Sequence, residues 1–356
     1  MNNPNERIRP EVRAIEGYHV IAYDCPVKLN QNESPFDVPA DVKDRILDAV
    51  RKQAWTRYPE PMPLDLVDTV ASYLGASPDQ IMVANGSNSI VQHILNAVVT
   101  SGVRVAIPSP SFSLYGQFTE ILGGDAVYVP LDASFRYDVD ALIHSAGSGV
   151  SLVIICSPNN PTGCDISNED LSRLLTSTDA IVVVDEAYAE FNDHTALDLL
   201  DRHPNLIVLK TLSKALGAAA IRIGCLVASP QLVSQILKIK LPFDVNVFSR
   251  LAAIELLQHR DTIDRNVSYI IEERSRVFSA MSSIAGVIPY PSKANLILFE
   301  VDGPKSVFEQ LAEKGVLVRN VSGYARLSRG LRVSIGSRDE NNAFLAALTK
   351  VMETSK

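Results

Sequence analysis

Short apolar segments alternate with amphipathic helical patterns through residues 81–228, and this alternation limits the possible folds more than any other feature. The apolar segments predict strands at residues 81–84, 104–107, 126–129, 152–156, 181–184, 206–209 and 224–228. Helical patterns between them include residues 89–100, 112–122 and 168–175. Continuous apolar strands separated by helices are typical of a mostly parallel sheet that is covered on both faces. Ligands of such sheets bind beyond the carboxyl ends of the strands.

The flanking parts of the chain predict further units. The first ~30 residues are polar and contain several prolines, which predicts an arm outside the core. Helices are predicted from Ala40 onward and over residues 64–74, where Gly75 ends the second helix. After Pro242 the pattern predicts one long helix over residues 247–281, then strands over 295–301, 316–319 and 331–335 and helices over 306–314 and 340–349. We therefore predict an α/β fold with an arm over 1–35, a large domain over 36–245 and a smaller α+β domain over 246–356.

Composition excludes several classes of function. A net charge of −8 argues against general binding to nucleic acid or to an anionic membrane surface. No apolar run approaches the roughly 20 residues of a membrane-spanning helix, and the N-terminus lacks the apolar core of a signal peptide. The four cysteines form no metal-binding pattern and suit a reducing compartment. We expect a cytoplasmic protein that uses small-molecule substrates and no metal.

The segment Thr211-Leu212-Ser213-Lys214 follows a predicted strand and precedes Arg222 by eight residues. Partial burial and a nearby cation both lower the pKa of a lysine, which makes its amine a usable nucleophile. The same cation and hydroxyl groups could hold a phosphate. A nucleophilic lysine beside a phosphate site is what pyridoxal 5'-phosphate (PLP) requires. Taken alone, however, the segment is explained more often by a solvated surface lysine.

Three more polar segments follow predicted strands: Asn85-Gly86-Ser87-Asn88, Ser157-Pro158-Asn159-Asn160-Pro161-Thr162-Gly163, and Asp185-Glu186-Ala187-Tyr188. The first can form an anion site at a helix N-terminus, although an N-cap turn explains it equally well. The second can present Asn160 as a rigid hydrogen-bonding group or be an ordinary turn. In the third, Asp185 ends an apolar strand and needs a partner for its charge, which a pyridinium nitrogen or a structural ion pair would supply.

Together the four segments supply the parts of a PLP site. Lys214 would bond to the cofactor and act as the base at the substrate Cα. Asp185 would keep the ring nitrogen protonated, while Asn160 and Tyr188 would hydrogen-bond the ring oxygen. Phe112 could stack on the ring face or be an ordinary core residue. The predicted phosphate ligands are Gly86, Ser87, Asn88, Ser213 and Arg222, with Thr211 as a supporting group.

This ordered set resembles the fold-type I, aspartate-aminotransferase-like PLP-dependent enzymes over nearly the whole chain. Within that group the chain is most similar to the histidinol-phosphate aminotransferases of the class II aminotransferase family. The closer cues are Lys28-Leu29-Asn30-Gln31-Asn32-Glu33-Ser34-Pro35, Arg57-Tyr58-Pro59, Leu241-Pro242-Phe243-Asp244-Val245-Asn246, Val318-Arg319 and Gly330-Leu331-Arg332-Val333-Ser334-Ile335-Gly336. The phosphate loop departs from the pattern, because Asn88-Ser89 stands where relatives often have Asp-Glu, and Phe112 stands where they often have Tyr.

The resemblance implies a fold-type I architecture, with a seven-stranded sheet between helices, and a homodimer whose active sites are shared across the interface. Tyr58 would reach the partner's PLP phosphate. Arg332 would bind the glutamate carboxylate and the substrate phosphate with help from Arg319, since guanidinium groups suit both anions. Tyr18 and Asn32 would contribute to the substrate pocket. For Arg319, Tyr58 and Tyr18, surface pairing or simple packing is the competing explanation.

The implied reaction is transamination between L-glutamate and imidazole-acetol phosphate, which yields 2-oxoglutarate and L-histidinol phosphate in histidine biosynthesis. Three alternatives remain at this point. An aromatic amino-acid aminotransferase would not require a phosphate on its substrate. A decarboxylase of L-threonine O-phosphate shares the scaffold and the motifs. A non-catalytic PLP-binding protein would not need Lys214, Asp185, Asn160 and Arg222 together.

Overall fold

The computed structural model describes residues 3–15 and 23–354. Its strands are β1 Val27–Lys28, β2 Ile81–Ala84, β3 Arg104–Ser109, β4 Asp125–Pro130, β5 Val150–Cys156, β6 Ile181–Asp185, β7 Leu206–Thr211, β8 Gly224–Ala228, β9 Ile288–Pro289, β10 Leu296–Glu300, β11 Val316–Leu317, β12 Arg319–Asn320 and β13 Gly330–Ser334. Its α-helices are α1 Pro10–Arg13, α2 Ala40–Arg51, α3 Leu64–Leu74, α4 Ser87–Val98, α5 Leu114–Ile121, α6 Val139–Ala146, α7 Asn168–Thr176, α8 Pro230–Ile236, α9 Val247–Leu257, α10 Arg260–Ser282, α11 Pro304–Glu313 and α12 Arg338–Thr354.

A seven-stranded sheet forms the centre of the fold, with the strand order β2-β8-β7-β6-β5-β3-β4. Strand β8 runs antiparallel to both of its neighbours, and the remaining pairs are parallel. The predicted mostly parallel sheet between helices is therefore confirmed. The carboxyl ends of the central parallel strands β5, β6 and β7 meet at one edge, because Cys156 pairs with Asp185 and Asp185 pairs with Leu209.

Burial on both faces explains why the central strands are apolar throughout. In β5, Leu152 and Ile154 join a core cluster that extends to α4 and to the C-terminal helices. The intervening Val153 and Ile155 join a second cluster with α6 and α7 on the opposite face. Successive side chains of a strand point to opposite faces, so a strand with helices on both sides cannot alternate polar with apolar residues.

A four-stranded antiparallel sheet, β12-β13-β10-β9, forms the C-terminal part together with α10, α11 and α12. The prediction of one helix over residues 247–281 is wrong, because α9 ends at Leu257 and the backbone leaves the helical region at His259, where ψ is 45°. The break lets the two helices bury different faces. Leu256 in α9 packs with α2 and α3, whereas Val277 in α10 packs with the C-terminal sheet.

The predicted strand over residues 316–319 is also divided. Strand β11 pairs with β1 in parallel, while β12 pairs with β13. Val27 lies opposite Val316, and the adjacent Leu29 is buried, so this part of the predicted arm is joined to the C-terminal unit. The domain limits at residues 35/36 and 245/246 remain predictions. Among the helices that the structure describes, none is long and apolar enough to cross a membrane.

Candidate active site

A cavity of about 370 Å³ lies at the carboxyl edge of β5, β6 and β7. Most residues predicted to form the site line it: Asn32, Ser87, Asn88, Phe112, Asn160, Asp185, Tyr188, Thr211, Ser213, Lys214, Arg222, Arg319 and Arg332. The parallel strands end together at this edge, which explains how segments far apart in sequence converge. Asn30, Gln31, Tyr115 and Tyr324 also line the cavity and were not predicted to have a role.

Asp185 is a buried carboxylate at the end of β6. One of its oxygens accepts a hydrogen bond from the hydroxyl of Tyr115 at 2.7 Å, and the other accepts from the backbone N–H of Ala187 at 3.1 Å. Burial raises the pKa of Asp185, and the bond from Tyr115 opposes that effect. Both hydrogen-bond donors are neutral, so a cation in the cavity would stabilise the charged carboxylate further.

Tyr115 is fully buried, and its ring makes an edge contact with Phe112 at a centroid distance of 5.4 Å. Phe112 and Tyr115 are three residues apart in the segment Pro110-Ser111-Phe112-Ser113-Leu114-Tyr115. Tyr115 could therefore have been considered as a site residue together with Phe112. A tyrosine in an apolar helix is usually a core residue, however, and no sequence pattern identified Asp185 as its hydrogen-bond partner.

Lys214 is half-buried and lies in the turn that follows β7. Its ammonium group donates a hydrogen bond to the carbonyl oxygen of Gln31 at 2.9 Å. Burial lowers the pKa of Lys214 to about 8, and the nearby cations Arg332 and Arg222 lower it in the same direction. A lysine with such a pKa is partly neutral near physiological pH, so its amine can act as a nucleophile and as a base.

Arg332 connects the C-terminal sheet to the cavity. It lies on β13, and its two terminal nitrogens donate to Asn160 Oδ1 and to the carbonyl oxygen of Asn30, each at 2.6 Å. The guanidinium group is mostly buried. A buried guanidinium group held in one plane is suited to recognise a carboxylate or a phosphate.

The two neighbouring asparagines after β5 have different environments. Asn159 is fully buried and holds the loop together by donating to the carbonyl oxygen of Pro110 and to Thr162 Oγ1 and by accepting from Ser111 Oγ. Asn160 lines the cavity instead. Asn160 was predicted to contribute to the site, and Asn159, for which no role was predicted, supports the loop that carries it.

An anion cradle is formed where the N-terminus of α4 meets the turn after β7. Arg222 donates to Ser213 Oγ at 3.2 Å, and Thr211 Oγ1 contacts the same hydroxyl at 3.1 Å. Gly86 precedes α4 with φ of 87°, and a Cβ atom there would lie 2.7 Å from Arg222 Nη2. The positive φ favours glycine, and a Cβ atom there would push the Arg222 guanidinium group away from the N-terminus of α4.

Tyr58, which was predicted to reach the partner's phosphate site, does not line the cavity of its own chain. Tyr58 is 84% exposed, and its ring packs against Phe243 at a centroid distance of 5.0 Å. Tyr18 lies outside the described residues. Arg319 lines the cavity, as predicted for a substrate-binding residue. Tyr324 lines it too and was not predicted, because it carries no charge and belongs to no recognised motif.

The sequence and the fold are both similar to those of known proteins. The family described as "Aminotransferase class I and II" matches residues 26–348. The histidinol-phosphate aminotransferase of Chlorobaculum parvum is 42% identical over 344 residues, which is 96% of this chain and 97% of that protein. The histidinol-phosphate aminotransferase of Chlorobaculum tepidum is 40% identical over 347 residues, which is 97% of this chain and 100% of that protein.

Among solved structures, the histidinol-phosphate aminotransferase of Sinorhizobium meliloti in complex with pyridoxal-5'-phosphate superposes with a TM-score of 0.88. That similarity extends over 98% of both chains at 24% sequence identity. It shows a common fold, and the sequence relatives show the family. The chain belongs to the class I and II aminotransferases, within the group of the histidinol-phosphate aminotransferases.

Proposed function

We propose that this chain is a PLP-dependent aminotransferase that exchanges an amino group between L-glutamate and imidazole-acetol phosphate. Its products are 2-oxoglutarate and L-histidinol phosphate. The observation that supports this most strongly is the convergence in one cavity of a low-pKa lysine, a buried carboxylate and an anion cradle. The full-length similarity to histidinol-phosphate aminotransferases supports the choice of substrate.

The cavity residues fit the chemical groups of PLP. Arg222, Ser213 and the N-terminus of α4 match its phosphate. Asp185 accepts hydrogen bonds from two neutral donors, the Tyr115 hydroxyl and the Ala187 backbone N–H, and suits a protonated ring nitrogen. Tyr188 and Asn160 line the same cavity and suit the ring oxygen.

In the proposed mechanism, PLP when bound supplies an electron sink for the negative charge that develops at the substrate Cα. Lys214 attaches the cofactor and then moves the proton at that carbon. Asp185 holds the proton on the ring nitrogen. Because Arg332 and Arg319 line the cavity, we assign them the anions of the two substrates, the carboxylate of glutamate and the phosphate of histidinol phosphate.

Single amine donors test the substrate assignment. The PLP-loaded protein would be mixed separately with L-histidinol phosphate, L-phenylalanine and L-threonine O-phosphate, and conversion of the cofactor to its amine form would be followed by absorbance. We expect rapid conversion with L-histidinol phosphate. Faster conversion with L-phenylalanine would indicate an aromatic aminotransferase. Release of carbon dioxide from L-threonine O-phosphate would indicate a decarboxylase.

The pKa of Lys214 predicts how the apoprotein captures PLP at different pH values. Only the neutral amine reacts, so capture should follow the deprotonation of Lys214 near pH 8. Its initial rate should rise about eightfold from pH 6.5 to 7.5 and level off above about pH 9. Stopped-flow absorbance measures this rate. Binding of pyridoxamine 5'-phosphate, which needs no neutral lysine, is the control and should lack this rise. A capture rate that continues to climb through pH 10 would contradict a lowered pKa.

We also propose that the protein acts as a homodimer. Large apolar side chains are exposed in two segments, residues 55–64 and 241–248; they are Trp55, Tyr58, Leu64, Leu241, Phe243 and Phe248. Trp55 packs on Phe248 at 5.2 Å and Tyr58 on Phe243 at 5.0 Å, so two pairs of exposed rings join residues 55–58 to residues 243–248. A patch of this kind is typical of a protein interface. We propose that a second copy of the chain covers it and that Tyr58 reaches the partner's phosphate cradle.

Mixed dimers test whether Tyr58 acts across the interface. A chain with Lys214→Ala and a chain with Tyr58→Ala are each expected to be weakly active at limiting PLP. When the two are co-expressed, a mixed dimer has one site with an intact Lys214 and an intact Tyr58. Random pairing should then restore about a quarter of the wild-type activity. If Tyr58 acts within its own chain, both sites of the mixed dimer are defective, and activity should not exceed that of the Tyr58→Ala chain alone.

We propose the cytoplasm as the location of the enzyme. The four cysteines, Cys25, Cys156, Cys164 and Cys225, are all free thiols in the structure. Free thiols suit a reducing compartment. Fractionation of the cells that make this protein, with an assay of the soluble and envelope fractions, would test the proposal.

A further inference from the structure

A small hydrogen-bonded ring joins Asn32 to Ser334, and a backbone amide sets its direction. The backbone N–H of Asn32 donates to Ser334 Oγ at 2.8 Å, and Ser334 Oγ lies 2.9 Å from Asn32 Oδ1. An N–H group cannot accept, so Ser334 Oγ accepts in the first bond, and its hydroxyl proton remains available for the amide oxygen that faces it in the second. The acceptor there is Asn32 Oδ1, and this determines which way the Asn32 amide is oriented.

The oriented amide in turn sets the direction of a hydrogen bond to Tyr188. Asn32 Nδ2 lies 2.9 Å from the hydroxyl oxygen of Tyr188. An amide NH₂ group donates and does not accept, so the Tyr188 oxygen accepts this bond. The proton of the Tyr188 hydroxyl is then left for a different acceptor. Tyr188 lines the cavity, so its hydroxyl can donate a hydrogen bond to a ligand there.

Asn32 is held firmly enough to perform this role. It is 1% exposed, and Ser334 is 2% exposed. Its φ angle of 54° places it in the left-handed region, which asparagine tolerates better than most residues. Its carbonyl oxygen accepts from Asn295 Nδ2 at 3.1 Å. Burial raises the pKa of Tyr188, so the hydroxyl keeps its proton at neutral pH.

We propose that Asn32, oriented by Ser334, is a positioning residue that keeps the Tyr188 hydroxyl as a hydrogen-bond donor toward the ring oxygen of bound PLP. This proposal rests on the proposed function, because it requires PLP in the cavity. It assigns Asn32 an action through Tyr188 where the sequence predicted direct contact with the substrate. Donation from Tyr188 stabilises negative charge on the ring oxygen, so its loss should shift the pH at which the absorbance of the bound cofactor changes.

Two substitutions at Asn32 separate the direction of the bond from its mere presence. Asn32→Asp is nearly isosteric, but a carboxylate only accepts and would take the proton of Tyr188 for itself. Asn32→Ala removes the bond and leaves that proton available. In the PLP-loaded protein, N32D should move the midpoint of the absorbance titration upward by about one pH unit, and N32A should move it much less.

The same pair of substitutions in a Tyr188→Phe background is the control for the added charge. If the effect acts through the hydroxyl, most of the difference between N32D and N32A should disappear in that background. A difference that persists undiminished, or equal midpoints for N32D and N32A when Tyr188 is present, would overturn the proposal.

Ser334→Ala provides a test that does not introduce a charge. It frees the Asn32 amide to adopt either orientation, so the midpoint should move in the same direction as in N32D, by a smaller amount, and only when Tyr188 is present. An S334A midpoint equal to that of the wild type would contradict the proposed orientation. This test remains available if N32D does not fold. Failure of the wild-type chain to bind PLP would overturn the proposed function as well. Normal wild-type binding with the contrary variant results would overturn this inference alone.

Discussion

Replacement of Lys214 by alanine should lower the rate of transamination by about 10⁴-fold, because it removes the base that moves the proton at the substrate Cα. The variant should still fold, since Lys214 lies at the cavity and its ammonium group donates to the Gln31 carbonyl oxygen at the cavity wall. Treatment of the PLP-loaded wild type with borohydride, followed by peptide mass analysis, should find the cofactor attached to Lys214. The same treatment of Lys214→Ala should find none.

Lys350 offers a matched control for this experiment. It is an exposed lysine on α12, and it is not among the residues that line the cavity. Lys350→Ala should retain wild-type activity and wild-type labelling at Lys214. A Lys214→Ala protein that transaminates at more than about a tenth of the wild-type rate would show that another group moves the proton.

Replacement of Asp185 by asparagine should lower kcat by about 10³-fold, because an amide cannot hold a positive charge on the cofactor ring nitrogen as a carboxylate does. The stability of the apoprotein should not fall. Burial disfavours the Asp185 carboxylate when no ligand cation is present, and its hydrogen-bond donors are a phenol and a backbone amide. Thermal unfolding of the apo and PLP-loaded forms should therefore show that D185N gains less stability from PLP than the wild type gains.

Glu186 supplies the contrasting control from the adjacent position. Its carboxylate forms a buried ion pair with Lys210 at 2.8 Å and accepts from Thr195 Oγ1 at 2.6 Å. Lys210 would keep its ion pair with Glu190 at 3.3 Å, so Glu186→Gln removes one of two partners and should destabilise the protein by about 2 kcal/mol while changing kcat only a few-fold. If Asp185→Asn and Glu186→Gln had the same effects on stability and on kcat, Asp185 would be a structural carboxylate.

The strand-end residues of the site could be predicted from the sequence for a simple physical reason. Strands covered on both faces must be apolar, so a polar residue such as Asp185 marks where a strand ends. Parallel strands end at a common edge, which brings Asn160, Asp185 and Lys214 to one cavity. Local sequence therefore contained enough information to assemble the centre of the site.

The supporting contacts were not predictable in the same way. Tyr115 donates to Asp185 across 70 positions of sequence, and Asn32 meets Ser334 across 302. Such pairs depend on how separate helices and strands pack, and the hydrophobic periodicity of a local sequence window carries no information about them. The break after Leu257 was missed for a related reason, since helical periodicity continues on both sides and only the change of packing partner requires two helices.

The transfer of an isotope-labelled amino nitrogen tests the central claim most directly. L-Histidinol phosphate that carries the label would be incubated with 2-oxoglutarate and the PLP-loaded protein, and the L-glutamate formed would be analysed by mass spectrometry. We predict that labelled L-glutamate appears at a rate equal to that of L-histidinol phosphate consumption, and that Lys214→Ala abolishes it. The account would be contradicted if the labelled L-histidinol phosphate were recovered intact after prolonged incubation with the wild type and no labelled L-glutamate had formed.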